Sequence, residues 1–185
     1  MDVDAVKISK RLTQVLRHDP GSVGLTMDEA GWVDVDALLT ALAAHGAALS
    51  RTEFDYVVAT SDKQRFAFDA TGTRVRASQG HSRPVDLGYS PQTPPPVLFH
   101  GTPVRNLAAI RRQGLRAGRR HAVHLSPDEE TAGAVGRRRG EYVVLRVDAR
   151  ALAASGASLT CSANGVWLVD SVPPEYLSVL PVGPH

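Results

Sequence analysis

Apolar positions Ile8, Leu12, Val15 and Leu16 recur at i, i+4, i+7 and i+8, the stripe of one buried helix face. Pro20-Gly21 ends that pattern, because a proline disfavours helix at the residue before it. Asp34 is placed to cap a second helix carrying Val35, Leu38, Leu39 and Leu42, with Gly46 as its stop. Ser50 and Glu53 have capping-box spacing for a third, whose apolar face is Phe54, Val57 and Val58. The period then changes from helical to two. "RFAFD" and "TRVRA" alternate about Gly72, which predicts a β-hairpin.

"GYSPQTPPPV" (88–97) holds four prolines and predicts a break, with residues 88–96 as a linker between lobes 1–87 and 97–185. The second lobe reads as short β-rich runs, "VLF", "AVHL", "YVVLRV" and "GVWLV", separated by turns and helices. Thr102-Pro103 looks like a cap followed by proline at the first helical position, opening a helix that ends near Gly114. Ser126, Pro127 and Glu129 repeat that device. The expected class is α+β: three helices plus a hairpin make a winged-helix pattern, followed by a mixed α/β lobe.

The 185 residues suffice to bury a core in one or two small domains. No apolar run approaches the roughly 20 residues that span a bilayer, and "MDVDAVKISK" lacks the order of a signal peptide. A cytoplasmic protein with no membrane partner is expected. Cys161 is the single cysteine, so no intrachain disulfide and no cysteine-rich zinc site can form. Net charge is +2, yet lysine occupies only positions 7, 10 and 63, leaving arginine as 18 of the 21 cations. Arginine grips phosphate in two places at once. A GC-rich genome explains the same bias, so composition alone does not decide.

Several side chains fall outside the predicted cores. Arg17 and His18 lie away from the first helix's apolar stripe, and two readings stand: solvated residues complementing the helix dipole, or a site. Arg65 points opposite Phe66 and Phe68 on its strand. "SQGHS" (78–82) reads adequately as a surface turn. His121 and His124 suit a metal only on a helix, and their segment is strand-like, so no metal is expected. The run Arg137-Arg138-Arg139 is by default a solvated face.

The order of these pieces is more specific than any one. "SKRLTQVLRHDP", "GLTMDEAGWVDVDALL", "DKQRFAFD", "RASQGHS", "LFHGT", "VHLSPD", "TAGAVGRRRGEYVVLRVDA" and "NGVWLVDSVPPEYL" together resemble the RNA 2′-phosphotransferase family of the KptA type over nearly the whole chain. The resemblance implies a winged-helix lobe joined to an ADP-ribosyltransferase-like lobe. It implies an enzyme that moves an internal RNA 2′-phosphate to NAD+, consumed as co-substrate. The partners would then be NAD and RNA bearing a 2′-phosphate, and a monomer is expected. It assigns the essential arginine–histidine–arginine–arginine set to Arg17, His18, Arg65 and Arg138, and the NAD site to His100, Gly101, Thr102, His124, Ser126 and Val166. Gly101 is expected to let the main chain approach the ligand. Val166 stands where many protein-modifying relatives of the fold carry a glutamate, which suits an already anionic phosphate nucleophile.

Two positions depart from the family pattern. Arg139 stands where histidine is common, so Arg137 or Arg139 is an alternative to Arg138, and Ala122 replaces a further histidine. Two other functions also fit: ADP-ribosylation of nucleic-acid ends or protein, and a winged-helix nucleic-acid-binding regulator. Against the regulator, residues 50–60 hold Glu53 and Asp55 with Arg51 as the one cation, a poor footprint for a phosphate backbone.

Overall fold

The structure is a computed structural model that describes residues 4–61, 64–82, 85–118 and 120–180. Asp62 and Lys63, within one of the quoted segments, lie outside the described residues. The chain divides into two compact units, Met1–Gly88 and Tyr89–His185. Each has its own apolar core, and both mix helices with small antiparallel sheets.

In the first unit α1 (Ala5–Arg17) begins at Asp4, whose carboxylate accepts from the Lys7 amide, and buries Leu12, Val15 and Leu16. Strand β1 (Val33–Asp34) leads into α2 (Val35–Ala44), where Asp34 caps through the Ala37 amide. Helix α3 (Arg51–Ala59) opens on a complete Ser50–Glu53 capping box. Strands β2 (Phe66–Phe68) and β3 (Arg74–Ala77) form the expected hairpin. β1 adds to β3, giving the order β1-β3-β2. Leu12, Leu16, Leu38, Leu42, Phe54 and Val75 fill the space between these elements. All three helices lie where the sequence pattern puts them, because one apolar face of each is buried in this core.

The second unit is assembled from shorter pieces. Its longest strands, β4 (Val97–Pro103) and β7 (Tyr142–Asp148), pair antiparallel along their whole length. Between them come α4 (Leu107–Gln113), β5 (Leu115–Arg116), β6 (Val123–Leu125) and α5 (Glu129–Arg137). After β7 follow α6 (Ala149–Ala154), β8 (Thr160–Cys161), β9 (Trp167–Val169), β10 (Ser171–Val172) and β11 (Leu177–Val179). The sheets are β11-β7-β4, β6-β9-β8 and β10-β5. Reciprocal hydrogen bonds between Phe99 and Ser126, 2.9 and 2.8 Å, tie β4 to the end of β6. The proline-rich stretch is anchored to this unit: the Gln92 amide donates to Leu159, and the Pro96 carbonyl accepts from Ala149.

Both expected caps in this unit are corrected. Thr102 and Pro103 still belong to β4, and α4 starts only after a 3-10 turn over Val104–Asn106. Pairing with Val143 and Tyr142 holds that segment extended. Ser126 caps nothing either: its amide and carbonyl are committed to Phe99. The cap of α5 is Asp128, which accepts from the Thr131 amide at 2.7 Å and displaces Glu129 from the expected capping-box position.

Candidate active site

The first unit carries the cations at the end of α1. Arg17 is its last residue and is half-buried, while His18 follows as the exposed C-cap with its amide on the Gln14 carbonyl. The segment 78–82, which reads as a mere surface turn, instead packs inward: Ser78 and His81 are almost wholly buried. Its Ser82 amide and hydroxyl both donate to the Arg17 carbonyl, at 3.0 and 3.4 Å. Gly80 sits at φ +86°, and a Cβ there would lie 3.4 Å from Arg17 Nη1. The missing side chain is room for the guanidinium.

The same segment fixes Arg65. The Ser78 amide donates to the Arg65 carbonyl at 2.9 Å, and Ser78 Oγ to the Gln64 carbonyl at 2.8 Å. Gln64 lies at φ +43°, sparsely populated for a residue with a side chain, so the chain bends sharply into β2. Arg65 Nη1 then reaches back to Ser9 Oγ on α1, at 3.4 Å. Arg17 and Arg65, 48 positions apart in sequence, are thus held by one five-residue segment.

The second unit contains a cleft of about 530 Å³, within the usual range for small-molecule sites. His100, Gly101 and Thr102 of β4 line it with His124 of β6, and Asn106, Arg116, Arg120 and Arg139 complete its polar wall. Three arginines and two histidines face this space, with no aspartate or glutamate among its lining residues. That composition selects anions.

The Phe99–Ser126 bridge brings the two histidines together. His100 Nδ1 lies 2.9 Å from the His124 carbonyl, and His124 Nδ1 lies 2.9 Å from the Ala122 carbonyl. A carbonyl only accepts, so each Nδ1 carries its proton and Nε2 of the neutral ring is the acceptor. Burial holds His100 below the ordinary 6.5; the His124 carbonyl opposes that shift, and the charges of Arg120 and Arg139 reinforce it. His100 is therefore a neutral hydrogen-bonding group at pH 7. Thr102 is buried and its Oγ1 accepts from Asn106 Nδ2 at 3.3 Å.

Gly101 lines the cleft, but the structure gives its missing side chain another reason. A Cβ there would sit 1.8 Å from the Ala132 carbonyl oxygen and 2.9 Å from the Gly136 nitrogen. Glycine lets α5 lie directly on β4.

The triple arginine separates into three environments. Arg137 folds back on Tyr142, donating to its hydroxyl at 3.1 Å with the guanidinium 5.6 Å from the ring centre. Arg138 is the exposed C-cap of α5 and does not line the cleft. Arg139 does line it. Ser126 lies just beyond β6, and Val166 sits in a turn clasped by Ser162; neither is a lining residue. Arg116, Arg120 and Asn106 escape the sequence reading, since nothing in "GLRAGRRH" or "VRNL" marks one polar side chain above its neighbours.

Comparison with known proteins now decides the family. The model of the RNA 2′-phosphotransferase, Tpt1 / KptA family matches residues 3–171. The chain belongs to this family. It is 58% identical to the "Probable RNA 2′-phosphotransferase" of Streptomyces coelicolor, over 93% of both chains. Proteins of the same name from Trichormus variabilis and Burkholderia pseudomallei are 52% and 50% identical. Those matches cover 95% and 94% of this chain, and 96% and 94% of the relatives. As a Tpt1 / KptA family member the chain is a transferase, so the anion-selective cleft and the ordered Arg17–Arg65 surface belong to an enzyme.

Proposed function

We propose that this chain removes an internal RNA 2′-phosphate, as left at a splice junction, by transferring it to NAD+. In the overall reaction a phosphate oxygen bonds to the anomeric carbon of the nicotinamide ribose and nicotinamide leaves. The neighbouring ribose hydroxyl then bonds to phosphorus, releasing RNA with a free 2′-hydroxyl and ADP-ribose 1″,2″-cyclic phosphate. The observation that carries the reading is the cleft: basic, free of carboxylates and paired with two neutral-tautomer histidines, in a chain of this family.

The residues divide the work by chemistry. Neutral His100, proton on Nδ1, offers Nε2 to a ribose hydroxyl of the bound dinucleotide, with His124 beside it. Arg17, Arg65 and Arg138 hold the transferred phosphate and stabilise the charge that develops at phosphorus. Guanidiniums already fixed by Gly80, Ser82 and Ser78 need little reorganisation when phosphate arrives. His18, exposed at the end of α1, exchanges the proton that moves during the transesterification. Three helices with a three-stranded antiparallel sheet support a winged-helix assignment for the first unit, and the paired β4 and β7 an ADP-ribosyltransferase-like one for the second. The reading includes a monomeric cytoplasmic enzyme; among the described residues no helix is long and apolar enough to cross a membrane.

A DNA-binding regulator fits less well. Arg51, the one cation of α3, is held by Asp55 at 2.8 Å and by the Gly72 carbonyl at 2.7 Å. The test is incubation with NAD+ and an internally 2′-phosphorylated oligonucleotide. A 2′-hydroxyl product with cyclic phosphate is expected. An oligonucleotide that keeps its phosphate defeats the proposal.

A further inference from the structure

The mechanism above leaves the arginines of the cleft without a role. Arg120 precedes β6 and Arg139 follows α5, so two separate elements each deliver one guanidinium to the same space. No acidic residue lines the cleft, and no ion pair is formed by either arginine among the described residues. Their charges act on each other as well as on His100: Arg120 is held below its ordinary value first by burial and then by Arg139. Like charges gathered without a counter-ion cost stability unless a ligand supplies one.

The turn after α5 fixes which arginine enters. The Arg139 amide donates to Gly136, the Gly140 amide to Arg137, and Gly140 lies at φ +96°. Arg105 Nη1 donates to the Arg139 carbonyl at 3.4 Å, holding that backbone from the other side. Helix-dipole complementarity would be served by Arg137 and Arg138 alone, and needs no side chain in the cleft.

We propose that Arg120 and Arg139 form a two-guanidinium subsite for the pyrophosphate of a nucleoside diphosphate ester, with Arg139 rather than Arg138 as its second cation. This deepens the reading above by giving the dinucleotide's two adjacent anionic groups their own partners, apart from those of the RNA phosphate. Two forks from opposite walls suit two neighbouring phosphoryl groups, which a single arginine cannot satisfy together.

The test measures binding directly, by calorimetry on the intact chain, with ADP-ribose and adenosine as probes. ADP-ribose should bind the wild type more tightly than adenosine, and salt should weaken ADP-ribose alone. Arg120→Gln and Arg139→Gln should each lower ADP-ribose affinity by about tenfold or more, leaving adenosine unchanged. Arg138→Gln should leave ADP-ribose affinity as it is. Thermal melts of both cleft variants should match or exceed the wild type, since a repulsion is removed. Arg139→Lys, which keeps charge without the fork, should fall between wild type and Arg139→Gln. Wild-type affinity in the Arg120→Gln and Arg139→Gln variants overturns the proposal. So does a loss that appears in Arg138→Gln instead, or one confined to the 2′-phosphorylated oligonucleotide. Failure of the wild type to dephosphorylate RNA would defeat the transferase reading and leave this result standing, because ADP-ribose binding is read without turnover.

Discussion

Gly101 illustrates how one residue's chemistry and its packing can be confused from sequence. A glycine beside a site histidine suggests room for a ligand, yet the nearest obstruction to a Cβ is the Ala132 carbonyl of α5. Gly101→Ala should therefore destabilise the fold itself, by about 3 kcal/mol or more given backbone overlap rather than a yielding side chain. Thermal unfolding reads this, and an unchanged melting temperature would contradict the packing. His100 gives a second expectation. Its folded value lies below the ordinary 6.5, so the unfolded chain binds the proton more readily. Stability is then fully present above pH 6.5 and declines as pH falls below it, by at most about 1.4 kcal/mol per unit. His100→Gln keeps a donor for the His124 carbonyl but does not titrate. Its stability should lack this acid-side decline, which denaturant melts across pH will show. Arg65 is tied to function instead. Arg65→Ala should cut turnover by roughly a hundredfold or more with the fold intact, checked by rate and circular dichroism together.

Among the elements, what sequence reveals depends on whether local or distant partners decide. Asp34, Ser50 and Glu53 cap through amides three residues away, so α2 and α3 are legible at their first residue. Helix α5 is not, because Ser126 is claimed by Phe99, 27 positions earlier, and the cap passes to Asp128. Asp128→Ala should thus cost about 1 kcal/mol, seen as a lowered melting temperature. Ser126→Ala, whose bonds to Phe99 are backbone only, should cost little; the reverse ranking would restore the serine cap. The same distinction explains the candidate site. Arg17, His18, Arg65, His100 and His124 were legible because their motifs recur in a family order. Ser9, Gly80, Arg116 and Arg120 were not, since their roles follow from contacts with residues far along the chain. Even the choice among Arg137, Arg138 and Arg139 rests on a turn and on Tyr142, features that three identical side chains in sequence cannot express.

For the whole molecule, the separation of cores implies a separation of tasks that binding measurements can expose. The Arg17–Arg65 surface belongs wholly to the first unit and the carboxylate-free cleft wholly to the second. If the first holds RNA phosphate and the second the dinucleotide, each affinity should respond to substitutions in its own unit. Arg65→Ala should weaken a 2′-phosphorylated oligonucleotide, with a shallower salt dependence because one phosphate contact is gone, while ADP-ribose affinity stays as in the wild type. Leu12→Ala provides the contrasting case. It opens a void in the first core worth about 2–5 kcal/mol and should lower that unit's unfolding temperature before it alters ADP-ribose binding in the folded chain. Calorimetric titration of both ligands against both variants makes the comparison. A loss of ADP-ribose affinity in Arg65→Ala as large as its loss for RNA would mean that the dinucleotide's binding energy is not held by the second unit alone, and the assignment of tasks by unit would fail.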